Sequence, residues 1–86
     1  MIEASLHAII RDAVGDPGLQ FTRDTAAYDV KGWDSVAQVS IILAVEQQFG
    51  IRLRTREIDG LRNVGDFIDL VREKTESLQE GKGVLF

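Results

Sequence analysis

Gly32-Trp33-Asp34-Ser35 is the stretch of this chain best placed for chemistry, because an apolar helix pattern from Val36 to Phe49 follows it directly. A hydroxyl at the mouth of a helix meets backbone N–H groups that have no partner within the helix, together with the positive end of its dipole. Such a place suits a phosphate. Asp34 and Ser35 are both favoured N-cap types, so either can start the helix. The other chemistries lack residues. No cysteine is present, and His7 is the single histidine, so neither a thiolate metal site nor a histidine cluster can form. No nucleophile has a partner histidine and no acid–base pair can be assembled, which argues against catalysis.

The elements that position Ser35 can be read from periodicity. Ile2, Leu6, Ile9, Ile10 and Ala13 recur at helical spacing, with His7 off the stripe and expected on the surface. Gly15-Asp16-Pro17-Gly18 stops that helix. From Leu19 to Gly32 no period persists, and Leu19, Phe21, Tyr28 and Val30 are expected to pin a long loop to the core. In the second helix, Val36, Val39, Ile42, Leu43 and Phe49 are expected to form the inner stripe, widened by Ile41, Ala44 and Val45. Gly50 and Ile51 fit a C-terminal cap. Thr55–Leu61 reads as one short turn with Ile58 and Leu61 inward. Asn63-Val64-Gly65-Asp66 resembles a capping box, and Val64, Phe67, Ile68, Val71, Thr75 and Leu78 carry the last helix. The expectation is an all-α, small four-helix bundle of three long helices and one short, with a long first loop. Residues 1–80 form its single domain and 81–86 a flexible tail.

Composition narrows the partners. The 86 residues carry a net charge of −4 with 44% hydrophobic content, enough for one core and too apolar for a disordered chain. An acidic pI near 4.8 argues against nucleic acid. The longest apolar run, Ile41 to Val45, falls far short of the roughly 20 residues of a membrane span. No positively charged leader opens the chain, so a cytoplasmic monomer is expected.

Three separated segments resemble the acyl and peptidyl carrier family: Thr25–Ser35 before the second helix, Ile42–Ile51 with Glu46, Phe49 and Gly50, and Asn63–Val71. The likeness covers nearly the whole chain and implies the same four-helix order. It implies that Ser35 carries a covalent 4′-phosphopantetheine arm from coenzyme A, flanked by Asp34 and Trp33, with Trp33 packing the loop against the bundle. An acyl or aminoacyl group would ride on the arm's thiol as a thioester. Implied partners are a phosphopantetheinyl transferase, a loading ligase or acyltransferase, and condensing or tailoring enzymes of a specialised fatty-acid, polyketide or related pathway. The alternatives are an unmodified adaptor of the same fold and an aminoacyl carrier of a nonribosomal-type pathway. Carriers of primary fatty-acid synthesis usually display an acidic second helix, whereas here Glu46 is its only charge. The segment beyond is basic, with Arg52, Arg54, Arg56 and Arg62 against Glu57 and Asp59. Partner contacts are therefore expected at Val36, Val39, Glu46, Arg54 and Arg56.

Overall fold

The computed structural model describes residues 2–82, with side chains as far as Ser77. Among them are four α-helices: α1 (Ile2–Val14), α2 (Ser35–Phe49), α3 (Thr55–Asp59) and α4 (Val64–Lys82). A short 3-10 helix, Ala27–Asp29, interrupts the loop between α1 and α2. No strand occurs among the described residues.

Helix α1 packs against both α2 and α4. It buries Leu6 and Ile10, the centre of the expected stripe, with Ile2, Ile9 and Ala13 packed beside them. Helix α4 contributes Val64, Phe67, Ile68 and Val71. Thr75 is half-buried and donates its hydroxyl hydrogen to the Val71 carbonyl at 2.7 Å, which satisfies a polar group inside an apolar face. The expected place of Leu78 lies outside the described side chains. Helix α4 includes Gly81 and Lys82, two residues of the segment expected as a tail, and residues 83–86 lie outside the described part.

Helix α2 turns a different face inward from the one expected. Ala37, Ile41 and Val45 are buried, whereas Val36, Val39 and Leu43 are 75%, 56% and 52% exposed. Ile42 and Phe49 are half-buried and pack against the core. The cause is composition: with apolar residues on nearly every side of α2, a 3.6-residue period cannot choose among them. Two smaller expectations also fail. Tyr28 is 91% exposed and pins nothing; Ala26 and Val30 on either side of the 3-10 helix are buried instead. His7 is half-buried, its ring edge-on to Phe21 with centroids 4.5 Å apart. Arg11 lies over the same Phe21 ring at 5.2 Å and donates from Nε to the Leu19 carbonyl, so the α1 face next to the loop holds Phe21 down.

The long loop is ordered by backbone bonds to α4. The carbonyls of Thr25 and Arg23 accept from Val64 N and Gly65 N at 2.9 and 2.8 Å. These are N–H groups of the first turn of α4, which have no partner within the helix, so the loop caps the helix and the helix fixes the loop. An exposed Arg23–Asp69 ion pair at 2.7 Å adds a second tie.

Candidate phosphopantetheine site

Ser35 is the first residue of α2 and is exposed. The capping role belongs to its neighbour: Asp34, in extended conformation, accepts from Ala37 N through Oδ1 at 2.9 Å. The Asp34 carbonyl accepts from Gln38 N at 2.9 Å and closes the first turn. The serine hydroxyl is thereby left available, on the helix end where N–H groups of Ser35 and Val36 precede the first intrahelical bond.

Two features hold this start of α2 in place. Gly32 has φ +92°, and a Cβ there would stand 2.9 Å from the Val14 carbonyl oxygen. Only glycine lets the chain pass this close to the end of α1 in a left-handed conformation. Trp33 is half-buried against the core, and its Nε1–H donates to Gln38 Oε1 at 2.6 Å. The indole thus ties the residue before the cap to the first turn of α2, and Ser35 lies between these two fixed points.

At the other end of α2, Gly50 (φ +66°) closes the helix, with its own N–H and that of Ile51 directed at the Glu46 carbonyl at 2.9 and 3.3 Å. The Glu46 carboxylate is half-buried and accepts from Leu53 N at 2.9 Å. It anchors the segment beyond α2, where Ile51 and Leu53 point inward and Arg52 and Arg54 outward. Glu46 is therefore not the free surface acid expected from its position. Arg54 and Arg56 are exposed, and no ion pair engages either among the described residues. Glu57 accepts from Lys74 Nζ at 2.6 Å and from Arg54 N at 2.9 Å, and both contacts hold its carboxyl below the usual carboxylate range. The Lys74 contact attaches α3 to α4, and the Arg54 contact caps the start of α3. At the start of α4, Asn63 Oδ1 accepts from Asp66 N, while Asp66 reaches back to Arg62 N, one residue beyond the partner of a standard capping box.

The site residues expected from sequence fall into two groups. Trp33, Asp34 and Ser35 are together, with Val36 and Val39 exposed on the same helix. Glu46 is turned into the fold, and Arg54 and Arg56 belong to the α3 region. None of Gln38, Arg62 and Asn63 is a site residue in the sequence reading, where Arg62 belongs to the basic segment and Asn63 to a capping box, yet all three line a cleft with Trp33. The only signal for them in the sequence is a neutral amide one turn beyond Ser35 and a polar pair just before the last helix.

An exposed serine on a capped helix start, fixed by a tryptophan and a close-passing glycine within a small helical bundle, has the geometry that a covalently attached phosphate group needs. Comparison with known proteins gives the class. A family model described as a phosphopantetheine attachment site matches residues 4–71. The acyl carrier protein of Acidothermus cellulolyticus is 30% identical over 76 residues, covering 88% of this chain and 90% of that one. The meromycolate extension acyl carrier protein of Mycolicibacterium smegmatis is 27% identical over 84 residues, covering 98% and 85%. The solution structure of holo acyl carrier protein from Geobacter metallireducens superposes with a TM-score of 0.82 at 34% identity, covering 92% of this chain and 90% of that one. The chain belongs to the acyl carrier protein family.

Its cofactor is accordingly a covalently attached phosphopantetheine, and its part in the chemistry is that of a carrier rather than a catalyst. The residues around Ser35 fit the group. A phosphodiester needs an accessible hydroxyl, nearby N–H donors and no carboxylate crowding it, and Asp34 is engaged with Ala37 N. When bound, the arm supplies the thiol that forms the thioester. The protein's own atoms hold, orient and present it. Members of this family meet enzymes that attach the arm and enzymes that handle the acyl group. No described helix is long and apolar enough to cross a membrane.

Proposed function

We propose that Ser35 is the attachment point, and that the chain serves a specialised lipid or polyketide pathway as a discrete carrier with one domain over residues 1–80. The observation that carries the first part is the division of labour at the start of α2: Asp34 caps, which leaves the adjacent hydroxyl exposed and unneeded for folding. Support for the second part is the surface. A carrier recognised through an acidic second helix needs outward carboxylates, but α2 shows Val36, Val39 and Leu43, and its single acid is tied to Leu53 N. One of the relatives is a carrier of meromycolate extension, which is itself specialised lipid synthesis.

The partner face then consists of Val36 and Val39 near the arm, with Arg54 and Arg56 as its cationic border. It fits a transferase, a loading enzyme and condensing or tailoring enzymes that offer apolar or acidic contact surfaces, since exposed charges choose partners more than they add affinity. The protein works as a cytoplasmic monomer in this reading. Mass spectrometry of the protein purified from its own host is the test. A population bearing phosphopantetheine on the Ser35 peptide, with an acyl or aminoacyl mass on part of it, is expected. A wholly unmodified population in a host whose transferase is active on its other carriers would favour the adaptor instead.

A further inference from the structure

Trp33 and Gln38 bracket Ser35 in the sequence, and the contact between their side chains fixes an amide close to the serine. Side chains of a helix lean toward its N-terminus, and residues three apart share a face. Gln38 therefore leans back toward Ser35, the first residue of α2. Its reach is shown by Oε1, which accepts from Trp33 Nε1 at 2.6 Å, ahead of the helix start. The indole N–H can only donate, so the atom facing it is the amide oxygen. The acceptor of this half-buried glutamine is thus engaged, while its Nε2 hydrogens have no partner among the described residues. Nothing else nearby on the helix offers the same group. Val36, Ala37 and Val39 have no polar side chain, so Gln38 is the only residue from 36 to 39 whose side chain donates. No Lys or Arg occurs between Gly32 and Gly50, and Asp34 is occupied by Ala37 N. Along α2, an anion on Ser35 meets neutral donors only: the free N–H groups of the first turn and the Gln38 amide.

We propose that Gln38 binds the phosphodiester of the arm through its Nε2 hydrogens, and that Trp33 holds the amide in the orientation that presents them. The proposal rests on Ser35 as the arm's anchor. The non-bridging oxygens of a phosphodiester are anionic and only accept, so they match an amide whose own acceptor is already used. Hydrogen bonds to a charged acceptor are stronger than those between neutral groups. Glutamine is among the side chains that lose most rotamer freedom when ordered. The indole contact imposes that loss before the arm arrives, which is preorganisation. Without the contact the amide is free to turn its oxygen toward the phosphate, and two acceptors repel. Held at its root by Gln38, the arm leaves α2 in a defined direction while its far end stays free to reach partner enzymes.

The test compares wild type with Gln38→Glu and Gln38→Met by NMR, each with and without the arm. The arm is attached from coenzyme A by a promiscuous transferase and confirmed by mass. Glu keeps an acceptor for the indole but replaces the donors with a negative charge, whereas Met removes both. The indole N–H signal of Trp33, the only tryptophan in the chain, reports whether its own contact persists. In wild type, attachment should shift the Gln38 side-chain NH2 signals and slow their exchange with water. The phosphorus line of the arm should be broader in wild type than in either variant, because only there is the phosphodiester held. Gln38→Glu should keep the wild-type indole signal and still show the narrow phosphorus line. A role confined to propping Trp33 requires the reverse, a wild-type phosphorus line in Gln38→Glu, and that result would overturn the proposal. So would Gln38 NH2 signals that are the same with and without the arm. Failure of wild type to take up the arm would show in the mass first, and would sink the Ser35 assignment and this proposal together.

Discussion

Asp34 and Ser35 are both good N-cap residues, and their adjacent roles separate cleanly in the fold. Asp34→Ala removes the acceptor for Ala37 N and should cost about 0.5–2 kcal/mol. Ser35→Ala should stay within about 0.5 kcal/mol, as an exposed substitution away from any cap or packing contact does. Urea unfolding followed by circular dichroism measures both. Equal losses for the two variants would mean that the serine shares the cap. Gly32→Ala should be worse than either, because its Cβ would meet the Val14 carbonyl oxygen at 2.9 Å in a left-handed conformation. Its expected signature is a lower melting temperature, since two elements must move apart. The Gly-Trp-Asp-Ser stretch was legible because cap chemistry is local and each residue type has few uses there. His7, Glu46 and Tyr28 were not. Whether a lone polar or aromatic side chain faces in or out depends on what the loop across from it supplies: Phe21 for His7, Leu53 N for Glu46, and nothing for Tyr28.

Among the elements, α1 and α4 announce their buried faces in sequence, whereas α2 does not. A helix with polar residues on one side has only one way to pack; α2 has apolar residues all round, and its inward face is set by where α1 and α4 meet it. The consequence is measurable. Ile41→Ala should cost roughly 2–5 kcal/mol, while Val39→Ala should change stability by less than about 0.5 kcal/mol. The opposite ranking would restore the face that periodicity suggested. Helix α3 carries the clearest pH dependence. Lys74 first, then Arg54 N, lowers the Glu57 carboxyl in the folded state. A carboxylate with a depressed folded-state pKa stabilises the fold fully above its unfolded value, near 4.3, and that contribution fades as pH falls through the folded value. Loosening of α3 should therefore begin below about pH 4.3, visible as faster amide exchange over residues 55–59. Glu57→Gln should show the faster exchange already at neutral pH and lose most of its acid dependence. An α3 equally protected at neutral and acidic pH would show that the Lys74 contact contributes little.

At the scale of the whole molecule, the net charge of −4 conceals an uneven surface, with an uncharged outer face on α2 and exposed Arg52, Arg54 and Arg56 beyond it. Enzymes that grip acidic carriers through basic patches should use this protein poorly. Gln47→Glu, Gln48→Glu and Arg54→Glu together should raise turnover with such an enzyme by several-fold at low ionic strength, and the gain should shrink as salt screens it. Wild-type turnover equal to that of the enzyme's own carrier would contradict this. The order of helices, the loop and the carrier family were all legible, since three motifs at correct separation constrain one another more than any single motif does. The cleft was not, because Trp33, Gln38, Arg62 and Asn63 are brought together only by packing. The central claim is that Ser35 carries the arm, and one measurement addresses it directly. Wild-type and Ser35→Ala proteins are incubated with coenzyme A and a promiscuous transferase, then weighed intact by mass spectrometry. Wild type should gain one phosphopantetheine and Ser35→Ala none, with circular dichroism showing the same helicity in both. An unmodified wild type beside a labelled control carrier, or a Ser35→Ala variant labelled as fully as wild type, would contradict it.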